Sequence, residues 1–137
     1  MMADRTVMGL ALPDDWDGLV SKPRWTAHRE DARVAPTVVE SIFGEAPDRS
    51  WRFYTFDEVV TETEDWHQEE DPAWFGIEPD GIDPEPSVLI GELGYDRPFA
   101  LDFRTPTPCV RFMRVDGRWP VVADSLSDLI VRLDEER

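Results

Sequence analysis

The chain has 137 residues, the length of a single domain with a buried core, and 41% of them are hydrophobic. It carries 30 Asp and Glu against 14 Lys and Arg, which gives a formal net charge of −16. Nucleic acids and anionic membranes bind through basic surfaces, so the charge argues against both as partners. It favours a protein that captures a basic partner by electrostatic steering.

Targeting signals and disulfides are not expected from the sequence. The apolar run near the start is flanked by acidic residues and has no small-residue cleavage site, so it makes a poor signal peptide. No stretch approaches the roughly 20 apolar residues that cross a bilayer. Cys109 is the single cysteine, which excludes an internal disulfide. We therefore expect a cytoplasmic protein.

Two helices are predicted in the first third of the chain. Pro13 stands at a first helical position, and Trp16 and the apolar residues that follow it have helical spacing up to Pro23. A second helix is predicted from Pro36 to Phe43. Gly44 comes directly after it, where a left-handed C-terminal cap belongs.

A strand and a capped helix follow. The alternating aromatic stretch WRFYTF, residues 51–56, is typical of a strand. Thr55 and Glu58 have the spacing of a capping box, which predicts a helix over about 56–66. Residues 67–86 contain four prolines and two glycines, so they are predicted to form a long irregular connection.

The last third predicts strands and a closing helix. Residues 88–93 and 99–103 have the composition of two strands, and 110–123 that of a hairpin turning at Asp116-Gly117. An Asp-Gly pair favours a type I′ turn. Ser125, followed by Asp128, predicts a helix cap ahead of an apolar stripe. The expected fold is a single α+β domain over 1–137, an antiparallel sheet flanked by helices.

The order of these features resembles the SMI1/KNR4 (SUKH) superfamily. The stretch LIGELGYDRPFALDFR (89–104), the Asp116-Gly117 hairpin and the closing VVADSLSDLIVRL (121–133) are similar to its C-terminal half. SIFGEAPDRSWRFYTFDEVV (41–60) is similar to its middle. The likeness covers about 41–133. Residues 12–16 match the family's LP-x-x-[YW] opening only in part, because the Asn-Gly turn that follows it there is absent.

The resemblance implies a binding protein rather than an enzyme. Bacterial members look like immunity proteins against toxins, many of them nucleases, and eukaryotic members look like regulatory scaffolds. It also implies an architectural role for Asp102, although strand alternation alone favours a solvent-facing side chain. The residues expected to be structural are Gly91, Gly94, Asp102, Asp116, Gly117 and Ser125.

The acidic middle of the chain is the predicted working surface. Fourteen Asp and Glu and no Lys or Arg lie between Phe53 and Asp96, with Trp66 and other aromatic residues among them. A charged run is usually a solvated face, but aromatic anchors within an acidic rim suit a basic partner. The candidate partner-binding residues are Glu69, Glu70, Asp71, Trp74, Phe75, Glu78, Asp80 and Asp83.

Metal and catalytic motifs are not expected. Residues 80–85 lack the ligand spacing of an EF-hand, and His28 and His67 lack a nearby ligand in sequence. No phosphate-binding loop or nucleophile elbow is present, and Cys109 is expected to be a buried, inert thiol. We therefore predict no catalytic residue, metal or cofactor. A small-molecule or metal-sensing module, an uncharacterised hydrolase and a DNA-mimicking inhibitor stay open as alternatives.

Overall fold

The computed structural model describes residues 6–13, 16, 36–48, 51–69, 81–94 and 97–135. Within these residues it contains three helices, a two-stranded sheet and a five-stranded antiparallel sheet, which confirms the α+β class. The strands are β1 (Thr6–Val7), β2 (Leu10–Ala11), β3 (Arg52–Phe53), β4 (Ser87–Gly94), β5 (Arg97–Asp102), β6 (Cys109–Phe112) and β7 (Val121–Ala123). The helices are α1 (Pro36–Phe43), α2 (Phe56–His67) and α3 (Leu126–Glu135).

The five-stranded sheet is a meander whose strand order, β3-β4-β5-β6-β7, follows the sequence. Opposite residues of paired strands share a face, and Phe99 lies opposite Phe112. On that face the Phe43 ring of α1 lies 5.1 Å from the Phe99 ring and 5.4 Å from the Phe112 ring. Helix α3 contacts β6, β7 and α1, and its apolar stripe is buried as predicted. Part of the core therefore lies between the sheet and these two helices, and α2 adds the buried Val59 and Trp66 to it.

Local signals at the helix ends match their predictions. Gly44 ends α1 with φ +86°, and its N–H donates to the Glu40 carbonyl at 2.8 Å. Thr55 and Glu58 form the predicted capping box of α2. The Asp128 N–H donates to the Ser125 hydroxyl at 3.0 Å at the start of α3. These ends were predictable because each depends on residues within four positions of one another.

Two turns differ from the expectation. In the β6–β7 hairpin only Gly117 has a positive φ, +85°, so the predicted type I′ turn is wrong. The Gly117 N–H donates to the Arg114 carbonyl, which makes a three-residue loop ending in a left-handed glycine. The two-residue turn with two positive φ angles lies instead between β1 and β2, at Met8 (+52°) and Gly9 (+83°). A methionine at such an angle gave no sequence signal.

Helix α2 covers an edge of β4 that β3 does not reach. The Tyr54 N–H donates to the Ile90 carbonyl, and β3 pairs only with Gly91 and Glu92. Further along, the Leu89 N–H donates to the Thr63 hydroxyl at 3.0 Å. Nε2 of His67 lies 3.0 Å from the Ser87 carbonyl oxygen. Two side chains of α2 thus satisfy main-chain groups that would otherwise be buried without partners.

Replacing Thr63 with valine should destabilise the protein by about 1–3 kcal/mol, because the buried Leu89 N–H loses its acceptor while the side-chain volume is kept. Urea unfolding measures the loss. Thr61→Val on the exposed side of the same helix is the matched control and should change stability by less than about 0.5 kcal/mol. Equal effects of the two changes would contradict the edge-capping role.

Two further sequence expectations concern the first predicted helix and the crossing of a membrane. The helix predicted from Pro13 to Pro23 lies outside the described residues except for Pro13 and Trp16, and Trp16 is buried in the core. In the part of the chain that the structure covers, no helix is long and apolar enough to span a bilayer.

Candidate functional site

The predicted partner-binding segment is described only at its two ends. Glu69 and Asp83 lie within the described residues and are exposed. Glu70, Asp71, Trp74, Phe75, Glu78 and Asp80 lie outside them. The structure therefore fixes where the segment leaves α2 and where it rejoins the sheet.

Both ends are held by hydrogen bonds. The Glu69 N–H donates to the Trp66 carbonyl at 3.0 Å, directly after α2. The Asp83 side chain accepts from the Glu85 N–H at 3.2 Å, and its carbonyl oxygen accepts from the Ser87 hydroxyl at 2.7 Å. Glu69 is exposed and lies two residues after α2 ends at His67, so it adds a negative charge just beyond that helix.

Trp66 does not belong to the exposed aromatic set. Its side chain is 3% exposed, and its ring lies 5.6 Å from the ring of Trp119 in the core. Sequence placed it among acidic residues, but it is on the buried side of α2 with Val59 and Thr63. Trp66 therefore stabilises the fold and is not available as an anchor for a partner.

An acidic surface, which sequence analysis did not resolve, lies where α2 meets β4. We call Glu58, Glu62, Asp65 and Glu92 the α2 acidic surface. The Arg52 guanidinium donates to Glu58 at 2.6 Å and lies 5.1 Å from the centre of the Tyr54 ring. The Tyr54 hydroxyl donates to Glu92 at 2.8 Å. Tyr54 and Glu92 are 38 positions apart, so no sequence spacing could have paired them.

The electrostatics of this surface show excess negative charge. Burial raises the pKa of Glu62, and the charges of Glu92, Asp65 and Glu58 raise it further. Burial also raises the pKa of Tyr54, with the Glu92 charge adding to it. Burial would raise the pKa of Glu58 as well, but the hydrogen bonds from Arg52 and Thr55 outweigh it and leave the pKa lowered. Arg52 thus satisfies Glu58, while Glu62 is repelled by its neighbours.

Glu62→Gln should stabilise the protein at neutral pH by a few tenths of a kcal/mol, because an exposed carboxylate repelled by like charges is removed. The folded-state pKa of Glu62 is raised, so the penalty exists above that pKa and disappears as the pH falls through it. Thermal unfolding at several pH values measures this. Glu64→Gln on the same helix is the control and should increase the stability by less. A gain that persisted in acid would contradict the repulsion.

Asp102 is buried, so the interpretation that it faces solvent is wrong. It lies opposite Ser87 on β4 and Cys109 on β6, and these three residues share a covered face of the sheet. The Arg104 side chain donates to both carboxylate oxygens, and Arg111 Nε donates to Oδ2 at 2.8 Å. Burial would raise the pKa of Asp102, but these hydrogen bonds outweigh it and leave the pKa lowered.

The network around Asp102 joins three segments. Arg111 also donates to the Trp119 carbonyl at 2.8 Å, ahead of β7. Arg104 donates to the Gly81 carbonyl at 3.4 Å, where the acidic segment returns to the sheet. Asp102 thereby fixes β5 against β6 and against residue 81.

The two strand glycines lie where a side chain cannot fit. A Cβ on Gly91 would lie 2.6 Å from the Arg52 carbonyl oxygen and collide with the Phe99 ring. A Cβ on Gly94 would collide with the Asp48 carboxylate and lie 2.9 Å from Arg97. Arg97 donates to Asp48 at 3.2 Å and to Glu45 at 3.3 Å, so Gly94 permits the approach of this ion pair.

Cys109 and the possible metal ligands are placed as follows. Cys109 is 8% exposed; burial raises the pKa of its thiol, and the Asp102 charge adds to this, so the thiol stays protonated. Across the described ranges, no group of three or more His, Cys, Asp or Glu side chains is placed to hold a metal ion.

A mostly apolar pocket of about 430 Å³ lies between the end of β2, the β5–β6 loop and the start of α3. Its apolar lining includes Phe103, Pro106, Pro108 and Leu126, and Ser127 also lines it. This volume is within the range of small-molecule sites. The α2 acidic surface does not contribute to it.

Comparison with known proteins adds no relative. No protein-family model, curated protein or solved structure matches this chain.

Proposed function

We propose that this chain is a non-catalytic binding domain, an immunity protein of the SMI1/KNR4 type that neutralises a basic toxin domain in the cytoplasm by covering its substrate groove. The observation that carries the proposal is the excess negative charge along α2. Glu62 is repelled by three neighbouring carboxylates, and Glu69 extends the same charge toward the segment that follows. Arginine and lysine side chains of a partner would relieve this repulsion on binding.

The position of the surface also supports the proposal. Three of the four residues of the α2 acidic surface lie on a helix whose other side is fixed to the sheet by Thr63 and by the buried Trp66. A surface that is held rigidly before binding loses little conformational entropy when a partner docks. The carboxylates would set the association rate and the choice of partner, and apolar contacts would supply most of the affinity.

The test begins with a tagged pull-down from the native host lysate at low and moderate salt. A stoichiometric basic partner carrying a toxin domain, lost as salt rises, is the expected result. The partner is then purified and titrated against variants. Glu69→Lys with Asp71→Lys should weaken binding and reduce its salt dependence. Glu40→Lys with Asp124→Lys changes exposed acids elsewhere by the same charge and should not.

Two outcomes would contradict the proposal. If both charge-reversed proteins bound the partner with equal affinity, the acidic segment would not be part of the interface. Failure to protect cells from the partner's toxicity would remove the immunity role. Competition between the chain and DNA for a nuclease partner would mark occlusion of the groove by a DNA-mimicking surface.

A small-molecule sensing module is the second candidate, and the pocket at the start of α3 is the observation that favours it. A ligand that binds only the folded state raises the melting temperature, and the stabilisation grows with the logarithm of one plus the ratio of its concentration to its Kd. A thermal-shift screen tests this, with Ser127→Trp as the variant that places a bulky side chain in the lining of the pocket. A ligand whose shift survives that change does not use this pocket.

A further inference from the structure

The turn between β6 and β7 places an aspartyl-glycyl bond at an exposed tip. The Asp116 side chain is 53% exposed, and Gly117 has φ +85°. The Asp116 carboxylate accepts a hydrogen bond from the Arg118 N–H at 3.0 Å. Because the donor is only two residues further along the chain, the carboxyl group lies against its own main chain, beside the Gly117 peptide.

We propose that Asp116-Gly117 is a site of spontaneous aspartate isomerisation in the folded protein, with water as its sole co-reactant. The Gly117 nitrogen attacks Cγ of Asp116, so an N–Cγ bond forms while the Cγ–OH bond breaks. The nitrogen's proton and the hydroxyl group leave as water, which closes a succinimide ring. Water then adds to the ring. Cleavage at Cγ restores aspartate, and cleavage at the α-carbonyl carbon leaves the main chain running through the side chain, as isoaspartate.

Glycine makes the attack possible because it has no Cβ to block the approach of its nitrogen, and it tolerates the backbone angles that ring closure needs. The carboxyl group and the nitrogen belong to adjacent residues, so their encounter is intramolecular. Sequence contains two other Asp-Gly bonds, at 17–18 and 80–81. Gly81 is buried and its carbonyl accepts from Arg104, which holds that glycine in place. The exposed turn therefore differs from the bond at 80–81.

The hydrogen bonds of the turn control the rate. The Gly117 N–H donates to the Arg114 carbonyl at 2.9 Å, and the Arg114 N–H donates to the Arg118 carbonyl at 2.8 Å. The first bond must open before the nitrogen can attack, and a hairpin tip opens at low free-energy cost. Isoaspartate inserts an extra methylene into the main chain. It would break the Arg114–Arg118 pairing and move the Val115 N–H away from Glu45, to which it donates at 2.9 Å.

The experiment incubates the purified full chain at neutral pH and physiological temperature, in native buffer and in urea. Isoaspartate is then mapped by proteolysis and mass spectrometry. In the native sample it should accumulate at 116–117, ahead of 80–81, and be lost in Asp116→Glu, whose longer side chain closes a ring slowly. Isoaspartate at 116 in urea but not in native buffer would overturn the proposal, because the folded turn would then protect the bond.

A second variant covers the case of a slow native reaction. Asp116→Asn keeps a residue suited to the turn and forms the same succinimide faster, releasing ammonia. Its native sample should gain both aspartate and isoaspartate at 116. An unchanged asparagine in native buffer, with conversion in urea, would equally overturn the proposal.

Discussion

Asp102→Ala is expected to destabilise the protein by about 3–5 kcal/mol, the cost of removing one partner from a buried ion pair. The carboxylate is 2% exposed and accepts from both Arg104 and Arg111. Its removal leaves Arg111, whose side chain is only 19% exposed, without its charged acceptor. Arg104 also loses its ion pair with β5. Urea unfolding followed by tryptophan fluorescence measures the loss.

The control and the pH dependence make this prediction specific. Asp57→Ala removes an exposed acid from the first turn of α2 and should cost less than about 1 kcal/mol. Because the folded-state pKa of Asp102 is lowered, its stabilisation is present at neutral pH and is lost as the pH falls through that lowered value. The gap between wild type and Asp102→Ala should therefore close only in strong acid. A cost similar to that of Asp57→Ala would contradict the buried network.

Elements that depend on neighbouring residues were predictable from the sequence. The capping box at Thr55, the left-handed Gly44 and the apolar stripe of α3 each involve residues a few positions apart, and all three are present. The β6–β7 hairpin was also predicted, but not its turn type. Asp-Gly permits a type I′ turn and equally permits a type I turn ended by a left-handed glycine, and the hydrogen bonds of Arg114 decide between them.

Features that depend on how the sheet is covered were not predictable. Strand alternation correctly places the side chains of Asp102 and Leu101 on opposite faces of the sheet. It does not reveal that both faces are buried at this point. In the same way, Trp66 lies in an acidic stretch, and only the direction in which α2 faces shows that its ring is in the core. The α2 acidic surface could be found only once the pairing of β3 with β4 was known, because that pairing brings Tyr54 next to Glu92.

Gly91→Ala is the second change with a large expected effect, about 3 kcal/mol of destabilisation, because a methyl group has no room there. The new Cβ would collide with the Phe99 ring, which is fully buried, and would lie 2.6 Å from the Arg52 carbonyl oxygen. The ring cannot retreat, since it also contacts the rings of Phe43 and Phe53. Relief therefore requires β3 to move away from β4.

Moving β3 would also displace the α2 acidic surface, because Arg52 donates to Glu58 and Tyr54 donates to Glu92. Gly9→Ala is the control for a glycine with open space around it; it should cost about 1 kcal/mol from its positive φ alone. Combining Gly91→Ala with Phe99→Leu should recover about 1 kcal/mol as a coupling energy, since the ring clash is relieved and the main-chain clash is not. If the double variant recovered the full loss, β3 would not restrict Gly91. If the two losses were simply additive, the Phe99 ring would not restrict it.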